Sequence, residues 1–201
     1  MKKNAEELKA RILDGAVALF IEKGIEKVTT RELTGYLGIS RSHIYHYFSD
    51  WQSLCLAALA RFMERELDEI AVKMAGLSPW EKLTALVGYY LPSAPLAEWQ
   101  LYDSLWRMAA NNQAYADLAE ANISRWMTLV AGIIDEGVEK EAFRPADINR
   151  VTRQLGALLN GYAETLIVKP SPEKHCTAAE DIADFIRLVL GEPPSATTAG
   201  A

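Results

Sequence analysis

The chain has 201 residues, half of them hydrophobic, with 21 Lys and Arg, 27 Asp and Glu, three His and two Cys. This suffices for a sizeable core in one domain or two small ones, but not for a disulfide framework or an evident metal site. A formal net charge of −6 makes a poor non-specific nucleic-acid binder, although the first 50 residues carry 8 Lys or Arg against 7 Asp or Glu and the remainder 13 against 20.

The predicted elements are helical from the start. The N-terminus is charged rather than an apolar run of signal type, and no stretch approaches a membrane span. With Cys55 and Cys176 far apart, a cytoplasmic setting is expected. LKARILDGAVALFIEKGIEKV reads as a first helix with Leu8, Ile12, Ala16, Leu19 and Phe20 on its inner stripe and Gly24 at its end. Lys2, Lys3, Lys9 and Arg11 are candidates for extra contacts to an anionic partner from an N-terminal arm. Thr29 and Glu32 have capping-box spacing, so a second helix starts at Thr29 or Thr30, with Leu33, Tyr36 and Leu37 as its apolar stripe. Gly38 suits the left-handed residue that ends a helix, Ile39 plugs the turn, and Ser40 caps a third helix. There Ile44 and Phe48 share one face, Ser42 and His46 fall nearly opposite, and His43 and Tyr45 flank them.

Asp50 caps a helix over about Trp51–Met74, with Leu56, Leu59, Met63, Leu67 and Ile70 inside and Gly76 beyond. Ser78, Pro79 and Glu81 begin another that runs to about Leu91, before Pro92 and Pro95. Further helices run from about Leu96 to Ala110, from Asn111 or Asn112 to about Glu139, and from the Asp147 cap to about Val168. KPSPEKHC is expected to break the chain, and Thr177 with Glu180 to box the last helix, which ends near Leu190 and Gly191. The tail EPPSATTAGA, 192–201, has little to bury and is expected to be disordered.

The stretch VTTRELTGYLGISRSHIYHYF is the most informative. Two short helices joined by a tight turn, the second anchored behind and polar in front, make the surface with which a helix-turn-helix enters the major groove. The same pattern suits a plain surface hairpin. His43 and His46 lack a third and fourth metal ligand nearby.

TTRELTGYLGISRSHIYHYF resembles the helix-turn-helix of the TetR family of bacterial transcriptional regulators, and the preceding helix with Gly24 resembles that family's first helix. Together they cover about the first third of the chain. The resemblance implies an all-α fold of about nine helices. A three-helix DNA-binding domain over 1–50, extended to about 66 by the linking fourth helix, would precede an effector-binding and dimerisation domain over 51–191. It implies that Arg31 reaches a base or a phosphate, and that Arg41, Ser42 and His43, opening the recognition helix behind Ser40, sit nearest base edges. His46 would touch a base edge or a thymine methyl, and Thr30, Tyr45 and Tyr47 would bond phosphates. Phosphate contacts set register and base contacts set sequence choice; Arg41 is the best candidate for a guanine. Ser42 stands where the family often has glycine and Trp51 where it often has lysine; the Trp51 ring is expected to pack under the recognition helix rather than to reach a phosphate.

Two features of the body bear on function. Val151, Leu155, Leu158, Leu159 and Tyr162 make one apolar surface, and Ile182, Phe185, Ile186, Val189 and Leu190 another, with Gly156 and Gly161 allowing close approach. Such faces are either core or interface. The resemblance implies that the last two helices pair with a second subunit, so that the dimer reads an inverted repeat on double-stranded DNA. Trp99, Tyr102, Asp103 and Trp106 fall at helical spacings on or near one face, with Tyr89, Tyr90, Trp126 and Tyr162 on neighbouring helices and Glu98 and Glu164 near in sequence. Aromatic faces with carboxylates favour a cationic, apolar-bodied ligand; the same rings also fill cores. The resemblance implies an effector site in this body, with Tyr90, Trp99, Tyr102, Asp103, Trp106, Trp126 and Tyr162 as candidates. The region from Trp99 through Trp126, with ISRWMTLVAGIIDEGVEKEAFRP, also resembles choline-responsive, BetI-like repressors. No cofactor or membrane partner is expected. No nucleophile elbow, metal-ligand spacing or phosphate-binding glycine loop points to an enzyme. A repressor released by a small effector is the reading; an activator of the same family, or a helical ligand-binding protein or enzyme, is the alternative.

Overall fold

The computed structural model describes residues 2–94 and 96–193, with side chains from Ala5 onward. Among them the chain is all-α: α1 (Lys2–Lys23), a 3-10 turn (Ile25–Lys27), α2 (Thr30–Leu37), α3 (Arg41–Tyr47), α4 (Trp51–Met74), α5 (Pro79–Tyr90), α6 (Ala97–Ala109), α7 (Gln113–Glu139), α8 (Ile148–Val168) and α9 (Pro172–Leu190), with no strand. None of these helices is long and apolar enough to cross a membrane. The expected disordered tail lies, from residue 194 on, outside the described residues, as do Pro95 and the side chains of Lys2 and Lys3.

Local chemistry sets most boundaries. Gly24, at φ 87°, ends α1, in a region where L side chains are strained. Ser53 donates its backbone N–H to Asp50 at 2.7 Å, opening α4. Ser78 and Glu81 form a reciprocal capping box around Pro79 at the start of α5, where proline's missing N–H costs nothing. Asn112 accepts from the Ala114 N–H at 3.1 Å and starts α7, and Asp147 accepts from that of Arg150 at 3.0 Å and starts α8.

The last helix corrects the sequence reading. It begins at Pro172, not Thr177: Ser171 is the cap, accepting from the Lys174 N–H, and proline occupies the first turn. The Thr177 hydroxyl donates to the Glu173 carbonyl at 3.1 Å, one turn back, so the Thr177–Glu180 spacing is an interior coincidence.

The helices gather into two compact bodies. One comprises the described residues up to Asp68 together with Ala97–Asn122, and the other Glu69–Leu96 and Ile123 onward. Helices α4 and α7 therefore each contribute residues to both. In the first body α1 packs against α2 and α6. Ile12, Ala16, Phe20, Leu33, Ile44, Leu54, Ala58, Leu59, Leu101 and Leu105 are at most 1% exposed in one continuous core. Tyr36, expected on the inner stripe of α2, is 59% exposed; Leu33 carries that face. In the second body α8 packs on α9, and α5 on both, burying Val151, Leu155, Leu159, Ile182, Ile186 and Leu190 within the chain. At Gly156 a Cβ would collide with the Met127 thioether, so the close neighbour there is a side chain rather than the backbone expected; Gly161 has open space.

Candidate nucleic-acid interface and effector site

The helix-turn-helix is assembled from caps and one left-handed residue. The Glu32 carboxylate accepts from the Thr29 N–H at 3.0 Å while the Thr29 hydroxyl accepts from the Glu32 N–H at 3.3 Å, closing the predicted box at the head of α2. The Thr29 N–H first, and then the Thr29 hydroxyl, which lies 3.1 Å from the same carboxylate oxygen, hold the Glu32 carboxyl below its ordinary value. Gly38, at φ 65°, turns the chain, and the Ile39 N–H donates to the Thr34 carbonyl at 3.1 Å. The Arg11 guanidinium, expected as an arm contact, instead donates to the Leu37 carbonyl at 2.7 Å and caps the open end of α2. Lys9, another expected arm residue, lies 5.8 Å over the Phe48 ring. Ile44 is fully buried and Phe48 nearly so, and Trp51 packs against the core, as expected, but its ring meets Phe20 of α1, edge-on at 6.3 Å.

The front of α3 is open. Arg41, Ser42, His43, Tyr45 and His46 are exposed, and Tyr47 is half-buried against the core. Their polar atoms bond mainly to one another. Ser40 occupies the cap position without capping: its hydroxyl lies 2.7 Å from the Ser42 hydroxyl and 2.6 Å from His43 Nδ1. The Arg41 guanidinium lies 5.4 Å over the Tyr45 ring and donates to its hydroxyl at 3.4 Å. The Tyr45 hydroxyl is 3.4 Å from that of Thr30, and these two partners, Thr30 first, lower the phenol's pKa. Thr29, Thr30, Arg31, Thr34 and Arg41 line a shallow hollow of about 450 Å³. The structure thus joins Thr30, Arg31, Arg41 and Tyr45 in one patch, and Ser40, Ser42 and His43 in another. His46 lies beside Tyr47, with ring centroids 5.0 Å apart. Thr34, not singled out from sequence, enters the first patch because it follows Arg31 by one turn.

The expected effector residues fall in both bodies. In the first, the Tyr102 ring lies 5.8 Å from Trp99, 6.4 Å from Trp106 and 5.9 Å from Phe62, and its hydroxyl donates to the Glu66 carboxylate. Asp103 is exposed and pairs with Arg107 one turn on. In the second, Trp126 stacks near-parallel on Tyr89 at 6.2 Å and meets Tyr90 edge-on at 5.7 Å. The Tyr90 hydroxyl donates to Asn160 at 2.5 Å, and burial pushes that phenol up to about 12. The Tyr162 hydroxyl donates to Asp181 at 2.5 Å, tying α8 to α9. Trp99, Tyr102 and Trp106 are therefore one group and Tyr90 and Trp126 another, whereas Asp103 and Tyr162 have partners of their own. Phe62 and Glu66 were invisible to sequence reasoning because α4 supplies them.

Comparison with known proteins agrees with this architecture. Residues 12–58 match the profile of bacterial regulatory proteins of the tetR family, and residues 79–191 match the C-terminal region of BetI-type transcriptional repressors. The HTH-type transcriptional regulator BetI of Brucella canis is 24% identical over 95% of this chain and 96% of its own. The repressor KstR2 of Rhodococcus jostii is 26% identical over 68% of each. A transcriptional regulator from Saccharomonospora viridis, solved in complex with choline, superposes with a TM-score of 0.78 at 25% identity, over 93% of this chain and 99% of that one. A TetR regulator from Haloarcula marismortui, 19% identical, shares the fold with a TM-score of 0.81 over 92% and 99%.

Proposed function

We propose, on the premise that this chain belongs to the TetR family of bacterial regulatory proteins and is a DNA-binding transcriptional regulator rather than an enzyme, that it is a cytoplasmic repressor released from an inverted-repeat operator by a small organic cation. The observation that carries the DNA contact is the division of α3 into a fully buried back at Ile44 and an open front, the arrangement a recognition helix needs in the major groove. On this reading residues 1–50, with α4 to about residue 66, form the DNA-binding region, and 51–191 serve effector binding and dimerisation.

Thr30, Tyr45 and Tyr47 take phosphates, Arg31 takes a base or a phosphate, and Arg41, Ser42, His43 and His46 face the bases behind Ser40. The bonds that Thr30, Arg41 and Tyr45, and Ser40, Ser42 and His43, now make among themselves are exchanged for bonds to DNA on docking. A second copy pairs through α8 and α9, a reading supported by the apolar line left outside the chain's own core: Leu158, Tyr162, Phe185 and Val189 are half-buried and Leu188 is 76% exposed. Two recognition helices then lie about one DNA turn apart, roughly 34–36 Å.

The cation is supported by the aromatic groups and by the choline in the Saccharomonospora viridis regulator. Tyr90 and Trp126 in one body, and Trp99, Tyr102, Asp103 and Trp106 in the other, are its candidate contacts, with Tyr162 beside the proposed dimer face. The effector shifts DNA affinity only by its unequal affinity for two states, and α4, which begins just after α3, is the helix whose tilt would move the heads.

The test is a gel shift on DNA from upstream of the protein's own gene, with and without choline. Specific retardation of an inverted repeat, relieved by choline, is expected. Retardation that is only salt-sensitive and indifferent to sequence would overturn the operator, and retardation unmoved by cations would overturn the effector class.

A further inference from the structure

The last turn of α4 places a positive charge of the chain's own on one of the aromatic groups. Lys73 Nζ lies 5.2 Å over the Tyr89 ring. Tyr89 is half-buried and near-parallel to Trp126, and Tyr90 meets Trp126 edge-on, so the ring under the ammonium belongs to a group of three from α5 and α7. Lys73 itself is exposed. It is not held there by burial, and water is available to it elsewhere.

We propose that Lys73 is a tethered occupant of the cation site. Its ammonium rests on the Tyr89–Trp126 stack, and a quaternary ammonium effector binds by taking its place. This rests on the cation reading above and adds to it which rings bind and what leaves. The chemistry favours exchange: a primary ammonium is compact and strongly hydrated, whereas a quaternary one carries apolar methyls and loses less on leaving water for a ring face. The site therefore prefers methylated cations to inorganic ones. Lys73 also lies in the same helix that starts four residues after the end of α3, so the effector breaks a contact at the far end of the element that leads out of the recognition helix. That broken contact is a difference between the liganded and unliganded states, which a switch requires.

The experiment is isothermal titration of the full-length protein with choline and with tetramethylammonium, comparing wild type, Lys73→Gln, Lys73→Arg and Lys169→Gln. Lys169 is an exposed residue of the same body at the C-cap of α8, and its substitution removes the same charge. Lys73→Gln is expected to bind about two- to fivefold tighter, the strength of an exposed cation–ring contact. Lys73→Arg should keep the competition and stay near wild type, and Lys169→Gln should not change. Equal affinity in Lys73→Gln and wild type, a loss of affinity, or an equal gain in Lys169→Gln overturns the displacement while leaving a cationic effector in place. No binding by any of the four, at any ring, removes the cation reading and this inference together.

Discussion

The front of α3 and the inner face of α6 carry similar side chains and use them differently. On α3 the aromatic and polar groups stand in water and bond weakly to near neighbours: Arg41 to Tyr45, Tyr45 to Thr30, Ser40 to Ser42 and His43. On α6 the rings of Trp99, Tyr102 and Trp106 lie against one another, and the Tyr102 hydroxyl holds a carboxylate of α4. Exposed bonds between flexible side chains are cheap to break, because water or a ligand replaces each partner at little net cost. Ring contacts half-buried against a core are harder to exchange, and Trp106, at the exposed end, is the least held of the three. The difference separates a surface kept ready for another molecule from one that holds the chain together.

The sharpest break of that comparison is at the back of α3. Ile44→Ala should destabilise the first body by about 2–5 kcal/mol, the range for truncating a buried aliphatic side chain. Operator binding should fall with it, because the front has no other support. Urea unfolding followed by circular dichroism measures the first effect and footprinting the second. A variant that unfolds like wild type but no longer binds would mean that Ile44 touches DNA, and the buried-back, open-front division would be wrong.

On the front, Arg41→Ala should leave the unfolding midpoint unchanged, since the guanidinium touches only exposed partners. Operator affinity should drop by about 1–3 kcal/mol if Arg41 leaves Tyr45 for a guanine, with discrimination relaxed at one base pair. Affinities for operators substituted one position at a time decide this. A uniform loss across all of them, with a salt slope shallower by about one, would assign Arg41 to a phosphate.

On α6, Trp106→Ala removes a ring that is 40% exposed and near-parallel to Tyr102. An aromatic pair is worth about 0.5–1.5 kcal/mol beyond its burial, so the fold should survive and specific DNA binding persist. If the first-body rings take part in the effector response, the choline concentration that releases operator should rise. Unchanged release would leave that response to the Tyr89–Trp126 group.

These expectations stand on unequal ground, and the reason is physical. Nearly all of the head was legible because its signals are local: Thr29 with Glu32, Gly38 after Leu37, Ile44 four before Phe48. Each is a bond or a face within one or two turns, and fold class follows from such signals in sum. The body's helices were legible for the same reason, with one failure that shows the limit. Thr177 and Glu180 have box spacing, yet Ser171, six residues earlier, caps the Lys174 N–H and Pro172 fits the first turn, so the helix starts there although the turn it gains is mostly exposed. The spacing of Trp99, Tyr102 and Trp106 was legible within α6, but which residues of other helices meet them was not. Trp99, Tyr102 and Asp103 look equivalent in sequence, but only a neighbouring helix determines that Tyr102 finds Phe62 and Glu66 while Asp103 turns to Arg107. Nor does periodicity reveal that α6 packs on α1, a contact between segments some ninety residues apart.

The smallest effect tests an intermediate case, a charged pair half in water that joins α1 to α4 within the first body. The Arg61 guanidinium grips Asp14 through Nε and Nη2, at 2.7 and 3.1 Å, and Arg65 adds a contact at 3.4 Å. These bonds, that of Arg61 first, hold the Asp14 carboxyl below its ordinary value of 3.8 against the opposing pull of partial burial. A carboxyl with a depressed folded pKa adds stability that is fully present above the unfolded value and is lost as pH falls through the folded one. With the two side chains 36% and 42% exposed, solvent screening keeps the contribution in the range of surface pairs, about 0.2–1 kcal/mol. Asp14→Asn should therefore lower the urea midpoint slightly at pH 7, with the gap closing as pH drops from 3.8 downward and narrowing in high salt. A gap that persists in acid would show that the side chain's shape, rather than its charge, joins these helices, and Asp14 would then belong with the packed contacts of α6 rather than with the exchangeable bonds of α3.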